Sequence, residues 1–273
     1  MILCMAMLIS TNSAQSHLYF GEHVAADSLY NVDYLNWQKP MNIFGARVKG
    51  DLIGTFLAKE TKHVLEFGCS AGYILAGLGG NTLRKTCVEI NEAAREYASQ
   101  EHDRKLAVFE TTRSAKRNGI LSDFIYSTSA LEHCECPLCE LRDLKTVLQP
   151  QGVLLIGVRN DGIDLQQNFH KFNIDPNHHL YTWNELLLSN IISAAGFHVC
   201  KSRGQYEAWV PPFELASYEA DRESFCRRGL TQGLRTSTFY LWSVSVLPGN
   251  EDACGELSIR LDRTQNCSYL LHV

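Results

Sequence analysis

The sequence predicts an α/β protein built on a doubly wound, mostly parallel sheet, and three observations predict it. Short apolar runs recur with helix-length segments between them, the first run ends in a glycine-bearing turn, and an acid stands at the end of each of the first two runs. Such alternation places a parallel sheet between two layers of helices.

Taken in order, residues 1–45 carry aromatic and polar groups, long enough for one or two helices over the mouth of a crevice. Trp37, Gln38 and Phe44 are candidate lid residues, with packing of Tyr34, Trp37 and Phe44 on the core edge as the alternative. Asp51 to Ala58 reads as an amphipathic helix leading to a strand at Val64–Phe67. The turn Gly68-Cys69-Ser70-Ala71-Gly72 then passes into a helical segment, and a second strand closes on Glu89. Asn91 is a good N-cap for EAAREYASQE. A third strand, Leu106–Phe109, ends at Glu110-Thr111-Thr112, and the fourth lies within Ile120–Thr128.

A helix over Pro137–Leu148 opens on proline and is closed by Pro150 and Gly152. Val153–Val158 is a continuous apolar run, as a strand covered on both faces requires. Trp183–Ala195 is the next helix, stopped by Gly196, followed by a strand at Phe197–Ser202. WVPPFELASYEADRESFCRRGL forms a loop and helix on the substrate side, and Thr236–Val246 is the last strand. The division is a lid segment at 1–45, the main domain at 46–247 and a tail at 248–273 that carries no legible motif.

The turn is specific about its ligand. Gly68 and Gly72 let the backbone approach a bound molecule, and a following helix would aim unpaired N–H groups at the same spot. Glu89, at a strand tip, is placed to accept from two ribose hydroxyls. A carboxylate at Glu66 would repel a pyrophosphate and attract an ammonium group. With no Gly-x-Gly-x-x-Gly at the turn, a nicotinamide-dependent oxidoreductase is disfavoured, and a nucleoside cofactor carrying an amino acid fits.

The spacing Glu66-x-Gly68-x-x-x-Gly72, with Glu89 beyond it, resembles the first motifs of class I S-adenosylmethionine-dependent methyltransferases. STSALEH (Ser127 to His133), LQPQGVLLIGV and NHHLYTWNELLLSNIISAAGFHV resemble later motifs of the small-molecule members, including the quinone-biosynthesis group. Gln151 departs from the usual Pro-Gly-Gly. The resemblance covers Val64 to about Arg203 and implies a Rossmann-like, seven-stranded sheet with an antiparallel last strand. It implies S-adenosyl-L-methionine as cofactor, held by Glu66, Gly68, Cys69, Ser70, Gly72, Glu89, Ile90, Glu110, Thr111, Ser127 and Ser129.

The implied activity is methylation of a small-molecule acceptor at oxygen, nitrogen or carbon, with a catalytically silent binding domain as the alternative. A base is needed only where the accepting atom is protonated. His133 is the first candidate, followed by His179 and Tyr181, each with a structural role in the pocket wall as its rival. No metal is expected. The acid that some quinone-biosynthesis relatives place three residues before the Glu-His pair is Ser129 here, and His133, Cys134, Cys136 and Cys139 lack a distant second pair of ligands.

Composition limits the partners. A formal charge of -5 and a pI near 6.1 give no field for nucleic acid or an anionic membrane. The basic residues between Arg113 and Arg117 and at Arg227 and Arg228 read as solvated faces. Ten cysteines fit free thiols in a reducing compartment, hence a cytoplasmic setting. The apolar start MILCMAMLIS lacks a basic flank and reads as a buried or frayed terminus, and no run is long enough for a membrane span.

Overall fold

In the computed structural model, the described residues are 31–79, 83–102, 105–159, 179–206 and 239–264, with positions 216, 220–224 and 227. A helix α1 (Val32–Gly54) precedes the sheet, and its N-cap Asn31 accepts from the N–H groups of Asp33 and Tyr34. The elements that follow are β1 (His63–Phe67), α2 (Tyr73–Gly77), β2 (Arg84–Val88), α3 (Glu92–Glu101), β3 (Leu106–Phe109), α4 (Thr112–Arg117) and β4 (Ser122–Thr128). Then come a 3-10 turn (Leu131–His133), α5 (Pro137–Lys145), β5 (Leu148–Arg159), α6 (Glu185–Ala194), β6 (His198–Tyr206), β7 (Phe239–Val246) and α7 (Cys254–Thr264).

The seven strands form one sheet in the order β3-β2-β1-β4-β5-β7-β6. The first five pair in parallel, and β7 runs antiparallel to both β5 and β6, as the sequence resemblance implied. Alternate strand residues serve two apolar layers, because successive side chains point to opposite faces. Val64, Tyr126, Leu155 and Val244 pack against Leu52 and Ile53 of α1, Leu75 of α2, and Leu257 and Leu261 of α7. On the other face Leu65, Ile125, Ile156 and Leu241 meet Leu141 and Leu144 of α5 and Leu188 and Ile192 of α6.

Several expectations shift. The first helix spans 23 residues and crosses Pro40, where a short helix over 51–58 was expected. The boundary drawn at 45/46 falls inside it. A proline in a helix interior costs about 3 kcal/mol, and burial of Leu52, Ile53 and Phe56 against the sheet offsets this. The side chains of Trp37, Gln38 and Phe44 lie outside the described residues, as does the structure of most of 207–238. The helix expected to reach Leu148 ends at Lys145 with Thr146 as its C-cap, and Leu148 already pairs with Ser122. Pro150 to Gly152 therefore bulge out within β5, and the ladder resumes at Phe124↔Val153.

Helix α7, within the tail segment, packs on the sheet. Leu257 and Leu261 of α7 are buried on the sheet, and Asp262 accepts from Lys201 and Arg203 of β6 at 2.7 and 2.5 Å. The cysteines depart furthest from expectation. Cys69–Cys87, Cys136–Cys139 and Cys200–Cys254 are disulfide-bonded, with Cα–Cα separations of 5.6, 5.2 and 4.9 Å, and Cys134 is free. This corrects the reading of free thiols and removes the argument for a cytoplasmic setting that rested on it. Among the described residues no helix is long and apolar enough to cross a membrane.

Candidate functional site

The carboxyl ends of β1, β2 and β4 converge on the Gly68 loop. Gly68, Ser70 and Gly72 all adopt positive φ (73°, 47° and 75°), so the chain reverses within five residues of β1. The Gly68 and Cys69 N–H groups donate to the Val88 carbonyl at 2.8 and 3.3 Å, which ties the loop to β2. A Cβ added to Gly68 would meet the Ala130 Cβ at 2.3 Å, so the turn after β4 lies directly against this loop.

Glu89 ties the other side. Its Oε2 accepts from the Ser70 N–H at 2.7 Å and its Oε1 from the Asn91 N–H at 2.9 Å. Each oxygen keeps a second lone pair able to take a hydroxyl donor. Burial raises the carboxyl's pKa, and the N–H groups of Asn91 and Ser70 pull it back.

Glu66 is 2% exposed, and its Oε2 has no hydrogen-bond partner. Burial pushes its carboxyl up to about 8, with the nearby Glu89 charge adding to the rise. The Tyr126 hydroxyl beside the carboxyl opposes it most, followed by the Leu75 N–H and the Lys49 ammonium. A buried acid with an unmet acceptor is a group awaiting a cation or a donor.

The remaining cofactor candidates divide. The Cys69 side chain is buried and bonded to Cys87, leaving only its backbone to the loop. Ile90 is 42% exposed at the tip of β2. Glu110 is exposed, whereas the Thr111 hydroxyl caps α4 by accepting from the Ser114 N–H at 3.1 Å. Ser127 is fully buried with its Oγ unpartnered, and Ser129 has positive φ (53°) with its N–H bonded to the Gly157 carbonyl. The helix after the turn is only five residues long, shorter than expected for a dipole contribution.

The three catalytic candidates come together. His133 and His179 have ring centroids 4.8 Å apart, and the Tyr181 hydroxyl donates to the Glu135 carbonyl at 2.9 Å. The N–H of Leu180 donates to the Glu132 carbonyl at 2.8 Å, which holds the segment at 179–181 against the 3-10 turn. Cys136 and Cys139 bond to one another and stand apart from the histidines as ligands.

Three groups escaped sequence reasoning. Lys49, on α1, donates to the Tyr240 Oη at 2.8 Å, sits over that ring, and acts on Glu66. The Asn91 side chain donates to the Asn31 carbonyl at 3.2 Å, fastening the start of α1 beside the loop. Glu132 is fully buried next to His133. Asn91 had a signal in the sequence as an N-cap and Glu132 in the Glu-His pair, whereas Lys49 had none.

With this geometry in view, the comparisons agree. Residues 41–202, more than half of the 273-residue chain, match the family described as Methyltransferase domain. The chain belongs to this family and, with its sheet order, to its class I S-adenosylmethionine-dependent fold. None of the curated proteins compared matches it.

Among solved structures, a chain from the complex between the Haloferax volcanii Trm112 methyltransferase activator and a methyltransferase aligns at TM-score 0.56 and 16% identity, covering 82% of this chain and 96% of that one. The plantazolicin methyltransferase BpumL with S-adenosylhomocysteine aligns at 0.53 and 16%, covering 78% and 88%. The same enzyme with a monoazolic desmethyl-plantazolicin analogue aligns at 0.53 and 17%, covering 86% and 93%. These likenesses carry the fold. They do not single out the quinone-biosynthesis group.

Proposed function

We propose that this chain transfers a methyl group from S-adenosyl-L-methionine to a small-molecule acceptor at the crevice between the Gly68 loop and the turn after β4. The observation that carries the proposal is the Glu89 carboxylate, bonded at once to the Ser70 and Asn91 N–H groups and beside the buried Glu66. Glu89 retains acceptor capacity for ribose hydroxyls, and the unpartnered Glu66 Oε2 suits an ammonium. Gly68 and Gly72 supply the positive φ that the loop requires. Ile90, Ser70, Ser127 and Ser129 complete the proposed cofactor contacts, and Glu110 and Thr111 form the adenine edge with the Thr111 hydroxyl already spent on its cap.

When bound, the sulfonium supplies both the activated carbon and the leaving group, so the protein's work is to position the acceptor and exclude water. A protonated acceptor must also lose a proton, and His133 and His179 are the proposed groups on that side, with Tyr181 fixing their segment through Glu135. The net charge of -5 fits a small acceptor better than a polyanion. A neighbour of this fold, the plantazolicin methyltransferase BpumL, is solved in complex with a monoazolic desmethyl-plantazolicin analogue and S-adenosylhomocysteine, which supports the reading.

The test pairs calorimetric titration of S-adenosylhomocysteine with a labelled-methyl assay over an acceptor library. Binding with turnover supports the enzyme; binding with none on any acceptor supports the silent domain; no binding overturns the reading.

A further inference from the structure

Cys136 and Cys139 stand at the start of α5 and have no part in methyl transfer. They are disulfide-bonded within the sequence Cys-Pro-Leu-Cys, with a Cα–Cα separation of 5.2 Å. We propose that this bond is a redox-active site that exchanges with a dithiol reductant.

Exposure sets it apart from the other bridges. Cys136 and Cys139 are both exposed, whereas Cys69 and Cys87 are buried at the Gly68 loop and Cys200 and Cys254 are half-buried between β6 and α7. Exchange requires an attacking thiolate to reach a sulfur, so among the described bridges this one is the most open to it. It also spans three positions, against eighteen and fifty-four for the others. Closing so short a loop constrains the unfolded chain least, so the bond can open and close with the fold intact.

The helix supplies the chemistry. Cys136 is the N-cap of the nine-residue α5, and its Sγ accepts from the Cys139 N–H at 3.3 Å. A thiolate at that position is stabilised by the donor and by the positive end of the helix, which makes Cys136 the better leaving group. Two cysteines separated by two residues beside a β-α-β unit are a redox arrangement in their own right. The neighbouring Cys134 does not compete. Its half-buried thiol donates to the Ala130 carbonyl at 3.3 Å, and burial pushes its pKa well above the ordinary value.

Reduction takes two steps. A thiolate of the reductant attacks the Cys139 sulfur, a mixed disulfide forms there, the Cys136–Cys139 bond breaks, and its electron pair leaves on Cys136. The second thiol of the reductant then attacks the reductant's own sulfur in the mixed disulfide and releases Cys139. The protein gains two electrons and two protons, and the dithiol loses the same and closes to a cyclic disulfide. A monothiol fares worse, because Cys136 stays beside the mixed disulfide and expels it before a second molecule arrives.

The test uses the full chain, oxidised with glutathione disulfide, freed of it, and exposed to dithiothreitol without denaturant. Acid quenching at intervals, alkylation and peptide mass spectrometry read each cysteine. Cys136 and Cys139 should become alkylatable at least about tenfold faster than the cysteines of the other two bridges, with the far-UV circular dichroism unchanged at that stage. In Cys136→Ser, where serine remains a good N-cap, oxidation should leave a glutathione mixed disulfide on Cys139 that wild type does not retain. Failure of the pair to bond in oxidised wild type, reduction no faster than at the other bridges, loss of helical signal when the pair opens, or no mixed disulfide on Cys139 in the variant would each overturn the proposal.

Discussion

The Ser70 N–H and the Glu89 carboxylate meet at 2.7 Å across nineteen residues, and this bond joins the loop after β1 to the tip of β2. The same carboxylate holds the Asn91 N–H, whose side chain caps α3 by accepting from the Ala94 N–H at 3.2 Å. One acid thus sets the shape of the loop and the start of a helix.

Removing that acid should loosen the loop before it unfolds the protein. Glu89→Ala leaves two N–H donors without their charged acceptor, a loss of about 1–3 kcal/mol. Amide exchange at Ser70 and Asn91 should accelerate roughly five- to a hundredfold, with little change at Leu65 or Ile125 in the core. Equal acceleration across the core would mean that Glu89 acts on global stability instead.

Glu66 predicts a pH dependence of stability. Its carboxyl is pushed up to about 8 in the fold, above the ordinary value of 4.5. Between these values the folded state holds a proton that the unfolded state has released. Stability is therefore full below pH 4.5 and declines as pH rises through 8, by at most about 1.4 kcal/mol per unit. Denaturant titrations of wild type and Glu66→Gln should show this decline in the former and lose its Glu66 component in the latter. Parallel curves would refute the assignment.

Gly68 and Gly119 share φ of +73°, yet an added Cβ meets Ala130 at 2.3 Å in the first case and nothing within 4 Å in the second. Gly119→Ala should cost only the left-handed backbone penalty, about 1–2 kcal/mol. Gly68→Ala should cost about 1–3 kcal/mol more through overpacking. Matching melting temperatures for the two variants would show that the loop and the turn after β4 do not touch in solution.

The Cys200–Cys254 bond closes 54 residues and anchors α7 to β6. Constraining a loop of that length contributes up to about 4 kcal/mol by chain entropy. Cys200→Ser should lower the melting temperature of the non-reduced protein, and reductant should lower that of wild type. Free-thiol counts by mass spectrometry supply the check: if all ten cysteines alkylate without reductant, the bond is absent.

Where neighbours along the chain decide the structure, the sequence was enough. Leu106–Phe109 and the helix after Asn91 are legible because a short apolar run, an N-cap and helix formers act locally. The loop glycines, Glu66 and Glu89 were legible for the same reason, since strand, turn and strand follow directly. Pairings set by the closed sheet were not. Lys49 reaches Tyr240 across 191 positions, and His179 reaches His133 only because the segment before α6 returns to the turn that follows β4. Helix α7 was missed because it buries only Leu257, Leu261 and Thr264, too sparse a stripe to stand out in a polar tail. Pro150 misled differently, reading as a helix stop where it belongs to a bulge within β5.

The central claim is that Glu66 and Glu89 together hold an amino-acid-bearing nucleoside. Calorimetric titration of S-adenosylhomocysteine into wild type, Glu66→Gln and Glu89→Ala, at about pH 8.5 where Glu66 is largely ionised, tests it most directly. The account predicts one site in wild type and affinity lower by about 1–3 kcal/mol in each variant; wild-type affinity in both variants would contradict it.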